Sequence, residues 1–427
     1  MATVRPFRAL RYAASSDLAP LLAPPYDVIN AAEQAALYDR DPQNVIRLEY
    51  GTTSSADTPA DNRYTRANAT LDAWLADGTL ALEDAPAFYP HTQRYTWSGE
   101  ARARSGFFAA VRLRPFEAGE ILPHERTLTG PKADRLQLMR ACQASFSPVF
   151  GLFDGAHTEL PALLARARAG APVAAAQGHG FDETLWRSSD PGLNAAISAA
   201  LSTRQLLIAD GHHRYETLLA MRDELCARYP DAPETAGFHY AMLLLVDLHD
   251  PGLLVLPTHR LLLLTPEMTA AFCRVAGLAF SMEQVAVAHP DQVPALLATY
   301  RDQHAFLWYT EGRYTLLTSP RGYRNGLPVL DVQALQERLT DPLFALDPDG
   351  QASVEANIRY TVHPADAVAR VDRGEVDAAI FLNPTPVADV FTLAGAGIRL
   401  PQKSTYFYPK VPTGLTMLSL RPDVEVG

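Results

Sequence analysis

The sequence predicts an α/β protein with mixed sheets and flanking helices. Two observations carry this prediction: short apolar runs of strand length recur along the chain, and segments with apolar residues at helical spacing separate them. No internal repeat or low-complexity segment interrupts this alternation. A chain of 427 residues can bury a large core, so its length fits two or three domains or one integrated unit.

The predicted strands are apolar runs that are too short for helices and are bounded by polar or turn-forming residues. They cover residues 107–111, 149–153, 206–208, 240–246, 306–309 and 378–382. Residues 309–314 predict a hairpin turn, because Glu311 and Gly312 stand at its centre. The predicted helices cover residues 68–75, 132–144, 160–169, 193–201, 217–228 and 291–301.

Composition narrows the classes of function. The formal net charge of -11 argues against wrapping duplex DNA, which usually requires a basic surface, so nucleic acid is an unlikely partner. The N-terminal residues do not resemble a secretory signal, and no apolar run approaches the length needed to span a membrane. Cys142, Cys226 and Cys273 stand singly, which is typical of a reducing compartment. We therefore expect a soluble cytoplasmic protein without a membrane partner.

The segment ADGHHRYET, residues 209–217, follows one predicted strand and leads into apolar residues at helical spacing. It predicts a strand, a tight turn at Gly211 and a helix. Amides at a helix start attract anions, and His212, His213 and Arg214 add side-chain donors, so a phosphate group is the expected ligand. Glu216 is at helical spacing from both histidines and can orient either ring.

Other interpretations of this segment remain open. Asp210 could be a helix cap, and the histidine pair could be structural or could provide two ligands of a metal site. Zinc would need further ligands at suitable spacing, and the scattered cysteines do not supply them. The identity of any metal is therefore unknown from the sequence.

Polar residues cluster at predicted loops in further segments of the chain, and each segment has an ordinary structural explanation as well. Asp27, after Tyr26 in PPYDVI, could be a turn residue, and Lys132 and Arg135 in GPKADRL could form a surface pair. The other polar groups are His124, Glu125 and Arg126 in HERT, His259 and Arg260 in PTHR, and Lys403, Ser404 and Thr405 in QKSTYFYPK. Because ligands bind at strand ends in open α/β folds, we expect these segments to line one pocket.

These segments together resemble a bacterial and archaeal family called domain of unknown function 1015. The resemblance rests on PPYDVI, HERT with GPKADRL, ADGHHRYE, PTHR, LNPTP and PQKSTYFYPKVPTG, and it runs almost from end to end. Val411 stands where leucine is expected in the last motif. Membership of this family would not by itself define an activity.

The DGHHR turn also resembles the phosphate-gripping motif of the ParB/sulfiredoxin superfamily, which includes free-serine kinases with nucleotide donors and the ParB partition proteins. This resemblance covers the turn with its flanking strand and helix. It implies a ParB/sulfiredoxin-like strand-turn-helix in which Gly211, His212, His213 and Arg214 hold donor phosphates. In the kinases a separate acidic residue activates the serine hydroxyl, and no second motif aligns to identify it in this chain.

Phosphoryl transfer requires cations around the phosphoryl group, a carboxylate base and usually Mg²⁺, and the chain supplies suitable residues. Arg214, Arg260, Lys132, Arg135 and Lys403 are the candidate cations. Asp27, Asp210, Glu125 and Glu216 could act as base or hold Mg²⁺, and we rank Glu125 first as base, then Asp27 and Glu49. The predicted substrate-binding residues are Tyr26, His124, Arg126, Glu216, His259, Arg260, Ser404 and Thr405. Neither a Walker motif nor a protein-kinase glycine loop is present.

The sequence thus predicts a small-molecule phosphotransferase with a nucleotide or pyrophosphate donor and a hydroxyl acceptor, for which free L-serine is the leading guess. One alternative is a hydrolase of phosphate esters or nucleotides that uses the same anion site. Another is a ParB-like protein that senses nucleotide or binds DNA without turnover. A weak boundary near Thr265 would divide the chain into residues 1–265, with the DGHHR turn, and residues 266–427, which would complete the same site. The oligomeric state cannot be inferred.

Overall fold

The structure is a computed structural model that describes residues 2–13, 17–125, 130–178, 180–346 and 357–427, without the side chains of residues 130 and 131. Mixed sheets with flanking helices make up the described chain, which confirms the predicted fold class. It divides into two compact units, the first within residues 1–123, 127–254 and 409–427 and the second within residues 124–126 and 255–408. Whether residues 1–265 and 266–427 fold as separate domains stays a prediction.

The strands are numbered in chain order. They are β1 Val4–Arg5, β2 Ala9–Tyr12, β3 Leu80–Leu82, β4 Tyr89–Trp97, β5 Glu100–Arg112, β6 Ile121–Leu122, β7 Ala144–Ser145, β8 Val149–Phe153, β9 Ala174–Gly178, β10 Phe181–Leu185, β11 Leu206–Asp210, β12 Tyr240–Asp247, β13 Leu254–Leu256, β14 His259–Leu262, β15 Ser281–Val285, β16 Gln303–Thr310, β17 Arg313–Pro320, β18 Tyr323–Arg324, β19 Leu327–Pro328, β20 Ile358–Thr361, β21 Ala378–Leu382, β22 Tyr406–Tyr408 and β23 Met417–Ser419.

The α-helices are numbered in the same way. They are α1 Ala31–Arg40, α2 Ile46–Glu49, α3 Arg63–Ala76, α4 Gly130–Cys142, α5 Leu160–Ala167, α6 Pro191–Leu201, α7 His212–Arg228, α8 Pro266–Gly277, α9 Val293–Ala298, α10 Asp331–Leu335, α11 Asp341–Phe344, α12 Pro364–Asp372 and α13 Val387–Gly395. A π-helical turn, Gln336–Thr340, joins α10 to α11. Short 3-10 helices cover Tyr26–Val28, Phe116–Ala118, Gly237–His239 and Pro290–Gln292.

The first unit is built on a mixed sheet in the order β6-β11-β8-β12-β5-β4-β10-β9, with β1 on β5. The β12–β8 and β11–β6 pairs are parallel, and the other pairs of this sheet are antiparallel. A smaller sheet in the order β3-β2-β23-β7 completes the unit. Strands β8 and β12 are almost entirely buried, as expected for apolar strands covered on both faces.

The second unit is built on a six-stranded sheet in the order β15-β17-β16-β21-β14-β20, whose neighbouring strands all pair antiparallel. One face of this sheet packs a core that includes Leu261, Leu307 and Phe381 against helices α9 and α12. The predicted hairpin forms between β16 and β17, with Glu311 and Gly312 at positive φ in its turn. Positive φ at these positions is typical of tight hairpin turns.

Candidate anion-binding site at the Gly211 turn

The predicted strand, turn and helix are present at residues 206–228. Strand β11 is buried apart from Asp210 at its end, and Gly211 follows with φ 89° and ψ 29°. This left-handed conformation is strained for residues with a Cβ atom, so glycine lets helix α7 begin directly at His212. Gly211 is also the N-cap residue and has no side chain with which to cover the first amides of α7. The positive end of a 17-residue helix therefore adjoins the carboxylate of Asp210.

Arg214, in the first turn of α7, is only 4% exposed and packs against the glycine. A Cβ atom at position 211 would lie 2.9 Å from its Nε atom. Its guanidinium donates to the carbonyl of Pro148 and, at 3.2 Å, to Asp210 Oδ2. Burial acts to lower the pKa of Arg214, but the carboxylates of Asp210 and Asp27 outweigh it and hold that pKa above its ordinary value. Arg214 is thus a fixed cation at the turn.

A second cation, Lys410, pairs with the same carboxylate. Its Nζ atom lies 3.4 Å from Asp210 Oδ2, the oxygen that Arg214 also contacts. Lys410 is absent from the site residues predicted from the sequence, although it belongs to the QKSTYFYPK segment. The turn therefore carries one carboxylate between two side-chain cations.

A buried polar network holds the backbone of Lys410. Gln93 Nε2 donates to the carbonyl of Lys410 at 3.2 Å and to Glu183 Oε1 at 2.7 Å, and Arg104 donates to the carbonyl of Pro409 and to Gln93 Oε1. His91 Nε2 lies 2.6 Å from Glu183 Oε2. Burial lowers the pKa of Arg104 to about 10, which leaves it charged at neutral pH. Because such a network is costly to bury unless its members bond each other, it fixes the position of the 409–410 segment.

Tyr26 and Asp27 lie in the same unit, on the 3-10 helix that follows two prolines. Asp27 is exposed and acts electrostatically on both Arg214 and Tyr26. Tyr26 is half-buried, and the guanidinium carbon of Arg135 lies 4.1 Å from its ring centre. Burial raises the pKa of Tyr26 to about 12, so its hydroxyl keeps its proton at neutral pH.

Glu49 and Arg135 form a buried ion pair beside Tyr26. Arg135 Nη1 donates to Glu49 Oε1 at 3.2 Å, and the Ser147 hydroxyl donates to the same oxygen at 2.9 Å. Burial raises the pKa of Glu49, although Arg135, Ser147 and Arg214 act in the opposite direction. Arg135 also donates to Asp134 Oδ2 at 2.8 Å, so its charge is shared between two carboxylates.

The remaining predicted residues of this unit lie on α4 and α7. Lys132 forms an ion pair with Glu216, which links the two helices. His212 is buried, whereas His213 and Glu216 are half-buried. The first unit therefore brings together, around the turn and its neighbouring helices, a group of predicted residues. They are Tyr26, Asp27, Glu49, Lys132, Arg135, Asp210, Gly211, His212, His213, Arg214 and Glu216.

Glu125 and His124 lie in the second unit, where they hold the segment 404–405. Glu125 Oε1 accepts from the amides of Ser404 at 3.0 Å and Thr405 at 3.4 Å. His124 Nε2 lies 2.9 Å from Thr405 Oγ1. Exposed Lys403 precedes these residues with φ 55°. Arg126 lies outside the described residues.

His259 and Arg260 follow one another on β14 of the second unit, and their side chains point to opposite faces of the sheet. The His259 ring packs edge-on to Phe381, with 5.0 Å between ring centres. Burial lowers the pKa of His259 to about 3, so the ring is neutral. Arg260 lies opposite Tyr360 of β20, with its guanidinium carbon 5.4 Å from that ring centre.

Two features are absent from the described residues. No group of three or more His, Cys, Asp or Glu side chains in the described ranges is placed to hold a metal ion. None of the helices in those ranges combines the length and apolar character needed to cross a membrane.

The chain is similar to several solved structures, all at low sequence identity. One is a mutant free serine kinase in complex with AMP, at 12% identity and a TM-score of 0.39, covering 73% of this chain and 92% of that one. A conserved hypothetical protein from Pyrococcus furiosus gives 14% identity and a TM-score of 0.37, covering 73% and 94%. C-terminally truncated SbnI from Staphylococcus aureus gives 10% identity and a TM-score of 0.33, covering 73% and 87%. Similarities of this size do not assign a function.

Sequence comparison is more decisive about the family. No curated protein matches the chain. A family model described as "Protein of unknown function (DUF1015)" matches residues 4–335, which agrees with the resemblance carried by the sequence motifs. The chain belongs to the DUF1015 family.

Proposed function

We propose that the protein is a phosphotransferase that moves a phosphoryl group from a nucleotide or pyrophosphate donor to the hydroxyl of a small compound. Free L-serine is the first acceptor to test, because the DGHHR turn resembles that of free-serine kinases. The observation that carries the proposal is the pairing of buried Arg214 and of Lys410 with Asp210 at the start of α7. Two cations beside a helix N-terminus favour a phosphate group.

The donor phosphates occupy the turn in this proposal. Gly211 allows close approach of the backbone, and His212, His213 and Arg214 donate to the phosphate oxygens, as the motif resemblance implies. Lys410 joins them as a further cation. Lys132, which pairs with Glu216, and Arg135, which pairs with Glu49 and Asp134, stay predicted donor ligands from the sequence. Lys403 stays a predicted donor ligand from the sequence alone.

Asp27 is the carboxylate of this unit that we propose as general base. It is exposed and acts electrostatically on Arg214, whereas Glu49 is buried and bonded to Arg135 and Ser147. Asp27 accepts the proton of the acceptor hydroxyl, whose oxygen then forms a bond to the terminal phosphorus of the donor. The bond from that phosphorus to its bridging oxygen breaks, and the electron pair leaves with the shortened donor. Tyr26 keeps its proton at neutral pH, and we assign its hydroxyl as a hydrogen-bond donor to the substrate.

Mg²⁺ is the cofactor that this reaction class usually requires. Proteins often hold it through one or two carboxylates together with the phosphates of the substrate, so a dedicated cluster of ligands is unnecessary. Asp210 is the carboxylate at the turn that would serve, because Asp27 is assigned to the base. Bound Mg²⁺ would neutralise charge on the donor phosphates.

A co-substrate screen tests the proposal. ATP, ADP and pyrophosphate are incubated with amino acids and sugars, L-serine among them, and phosphorylated products are identified by mass spectrometry. Release of inorganic phosphate without an acceptor would favour the hydrolase alternative, and donor binding without turnover would favour a nucleotide sensor. Calorimetric titration of Arg214→Ala and Lys410→Ala should show donor affinity weaker by about 1.5–3 kcal/mol, the range for a hydrogen bond to a charged group.

Arg228→Ala is the matched control for this titration, because Arg228 is an exposed arginine in the last turn of the same helix. It should bind the donor like the wild type. Unchanged affinity in Arg214→Ala would contradict the assignment of the turn to donor phosphates.

A further inference from the structure

Arg260 is a buried cation in the second unit. It lies on β14, which pairs with β20 on one side and β21 on the other, and it is only 5% exposed. Its Nη1 atom donates to the carbonyl of Thr258, and its guanidinium lies near the ring of Tyr360. A guanidinium stays charged at neutral pH, and burial of a charge is costly unless a counter-charge accompanies it.

That counter-charge is missing from the described part of the chain. No carboxylate there forms an ion pair with Arg260. Glu125 acts on it electrostatically, but burial dominates and lowers the pKa of Arg260. One oxygen of Glu125 is already bonded to the amides of Ser404 and Thr405.

A second polar group beside Arg260 also lacks a partner. Thr258 is 3% exposed, and its hydroxyl oxygen has no hydrogen-bond partner among the described residues. Thr258 directly precedes β14, and side chains two residues apart in extended chain point to the same side, so we infer that the hydroxyl lies on the side of the guanidinium. A buried hydroxyl without a partner is uncommon and costs free energy. The guanidinium and the hydroxyl can both donate hydrogen bonds, and an oxyanion can accept both.

We propose that Arg260 and the Thr258 hydroxyl form an anion-binding site in the second unit, which takes the carboxylate or phosphate group of a small molecule. The site goes beyond the phosphotransferase proposal and does not depend on it, because the residues of the Gly211 turn belong to the first unit. His259 is not part of it, since its ring packs against Phe381 on the other face of the sheet.

Thermal unfolding of the full chain tests this site. The wild-type chain and the Arg214→Ala variant are each heated in chloride, phosphate or acetate at constant ionic strength, so that any contribution of the Gly211 turn is measured separately. Anion binding to the folded state raises the midpoint with concentration. Arg260→Met should abolish this rise, with an apparent affinity at least about tenfold weaker, and should not lower the midpoint in chloride because it removes an unpaired buried charge. Thr258→Val should weaken the affinity roughly 2- to 10-fold.

Arg313→Met is the control, because Arg313 is an exposed arginine of the same unit and its loss should leave the rise intact. A rise in phosphate and acetate alike shows that the site takes either oxyanion, a rise in acetate alone assigns it to carboxylates, and a rise in phosphate alone assigns it to phosphate-bearing ligands. The proposal is overturned if Arg260→Met keeps the full rise. It is equally overturned if neither phosphate nor acetate raises the midpoint of the wild-type chain, because no anion then binds the folded chain at this site. Should Arg260→Met fail to fold, Thr258→Val tests the site on its own, and an unchanged affinity in that variant overturns the proposal.

Discussion

The carboxylates around the Gly211 turn differ in what already binds them, and this difference bears on catalysis. Asp210 is contacted by Arg214 and Lys410, and Glu49 by Arg135 and Ser147. Asp27 is the exposed one of the three. A general base must reach the hydroxyl of an incoming substrate, so exposure favours Asp27.

Replacement of the base should slow turnover without loss of donor binding. We expect Asp27→Asn to lower the rate of phosphoryl transfer about 10²–10⁴-fold, the usual range for a general base, with donor affinity nearly unchanged. Steady-state kinetics with the donor and acceptor found in the screen measure both quantities. Asp39→Asn, at an exposed position of α1, is the control and should behave like wild type.

Glu125→Gln and Glu49→Gln belong in the same assay, since the sequence ranks Glu125 first. The Glu125→Gln side chain keeps an oxygen that can accept the amides of Ser404 and Thr405, so it isolates the effect of charge. A wild-type rate in Asp27→Asn, together with a large loss in Glu125→Gln, would move the role of base to Glu125.

His259 should make the stability of the protein depend on pH. Its folded-state pKa of about 3 lies below the ordinary value, chiefly because of burial, so between about pH 6.5 and 3 the unfolded chain binds more protons at this residue. The free energy of unfolding therefore falls as pH drops through this window, by about 1 kcal/mol between pH 6.5 and 5.5. In urea unfolding across this range, the free energy of unfolding of His259→Leu should not show this decrease of about 1 kcal/mol. His157→Asn, at an exposed histidine, should show the same decrease as the wild type. An identical pH profile in His259→Leu and wild type would contradict the buried neutral state.

The sequence predicts the bounds of apolar strands more accurately than the first residue of a helix whose first turn is polar. The predicted strands 149–153 and 378–382 coincide with β8 and β21, because fully buried strands carry continuous apolar runs. The apolar period of α7 becomes visible only from about residue 217, although the helix begins at His212, since polar residues fill most of its first turn. The helix predicted over residues 291–301 is shorter in the structure, where α9 covers Val293–Ala298 and a 3-10 turn covers Pro290–Gln292.

The hairpin of β4 and β5 shows why part of the site escaped the sequence. Its polar residues His91, Gln93 and Arg104 alternate with others in a way that is typical of a solvated face. In the structure they are buried and bonded to Glu183 and to the carbonyls of the 409–410 segment, which lies more than 300 residues away along the chain. Local patterning cannot reveal such a distant partner, so neither this network nor Lys410 could be predicted.

The geometry of the turn can be tested with a pair of glycine variants. Gly211 and Gly99 both have positive φ, so alanine should cost either position about 1–2 kcal/mol of stability. A Cβ at Gly99 meets no atom within 4 Å, whereas at Gly211 it meets the Arg214 guanidinium. We therefore expect both variants to be destabilised similarly in urea, but only Gly211→Ala to lose donor affinity by calorimetry. Equal donor affinities in the two variants would show that the position of the Arg214 guanidinium does not affect donor binding.

For the whole molecule, the two units each contain part of the predicted site. The first holds the Gly211 turn, Asp27 and Lys410, and the second holds Glu125, Arg260 and the 404–405 segment. The sequence predicts that all of these residues serve one ligand, and that prediction stays open. The net charge of -11 repels a negatively charged phosphoryl donor. Cations at the site itself must therefore bind the donor, because the electrostatic field of the whole protein does not attract it.

Hydrogen exchange with and without the donor should identify which segments the ligand orders. A donor at the Gly211 turn should slow exchange of the backbone amides in residues 23–29 and 211–215, because binding suppresses local opening. Helix α6, whose Asn194, Ala195 and Ser198 line a separate cleft of about 620 Å³ in the same unit, supplies the internal control and should not change. Protection of residues 258–260 and 403–405 by the same donor is what the single-site prediction requires. If the donor protects the first group and leaves those two segments unchanged, the turn binds it without the second unit, and Arg260 then serves a different anion.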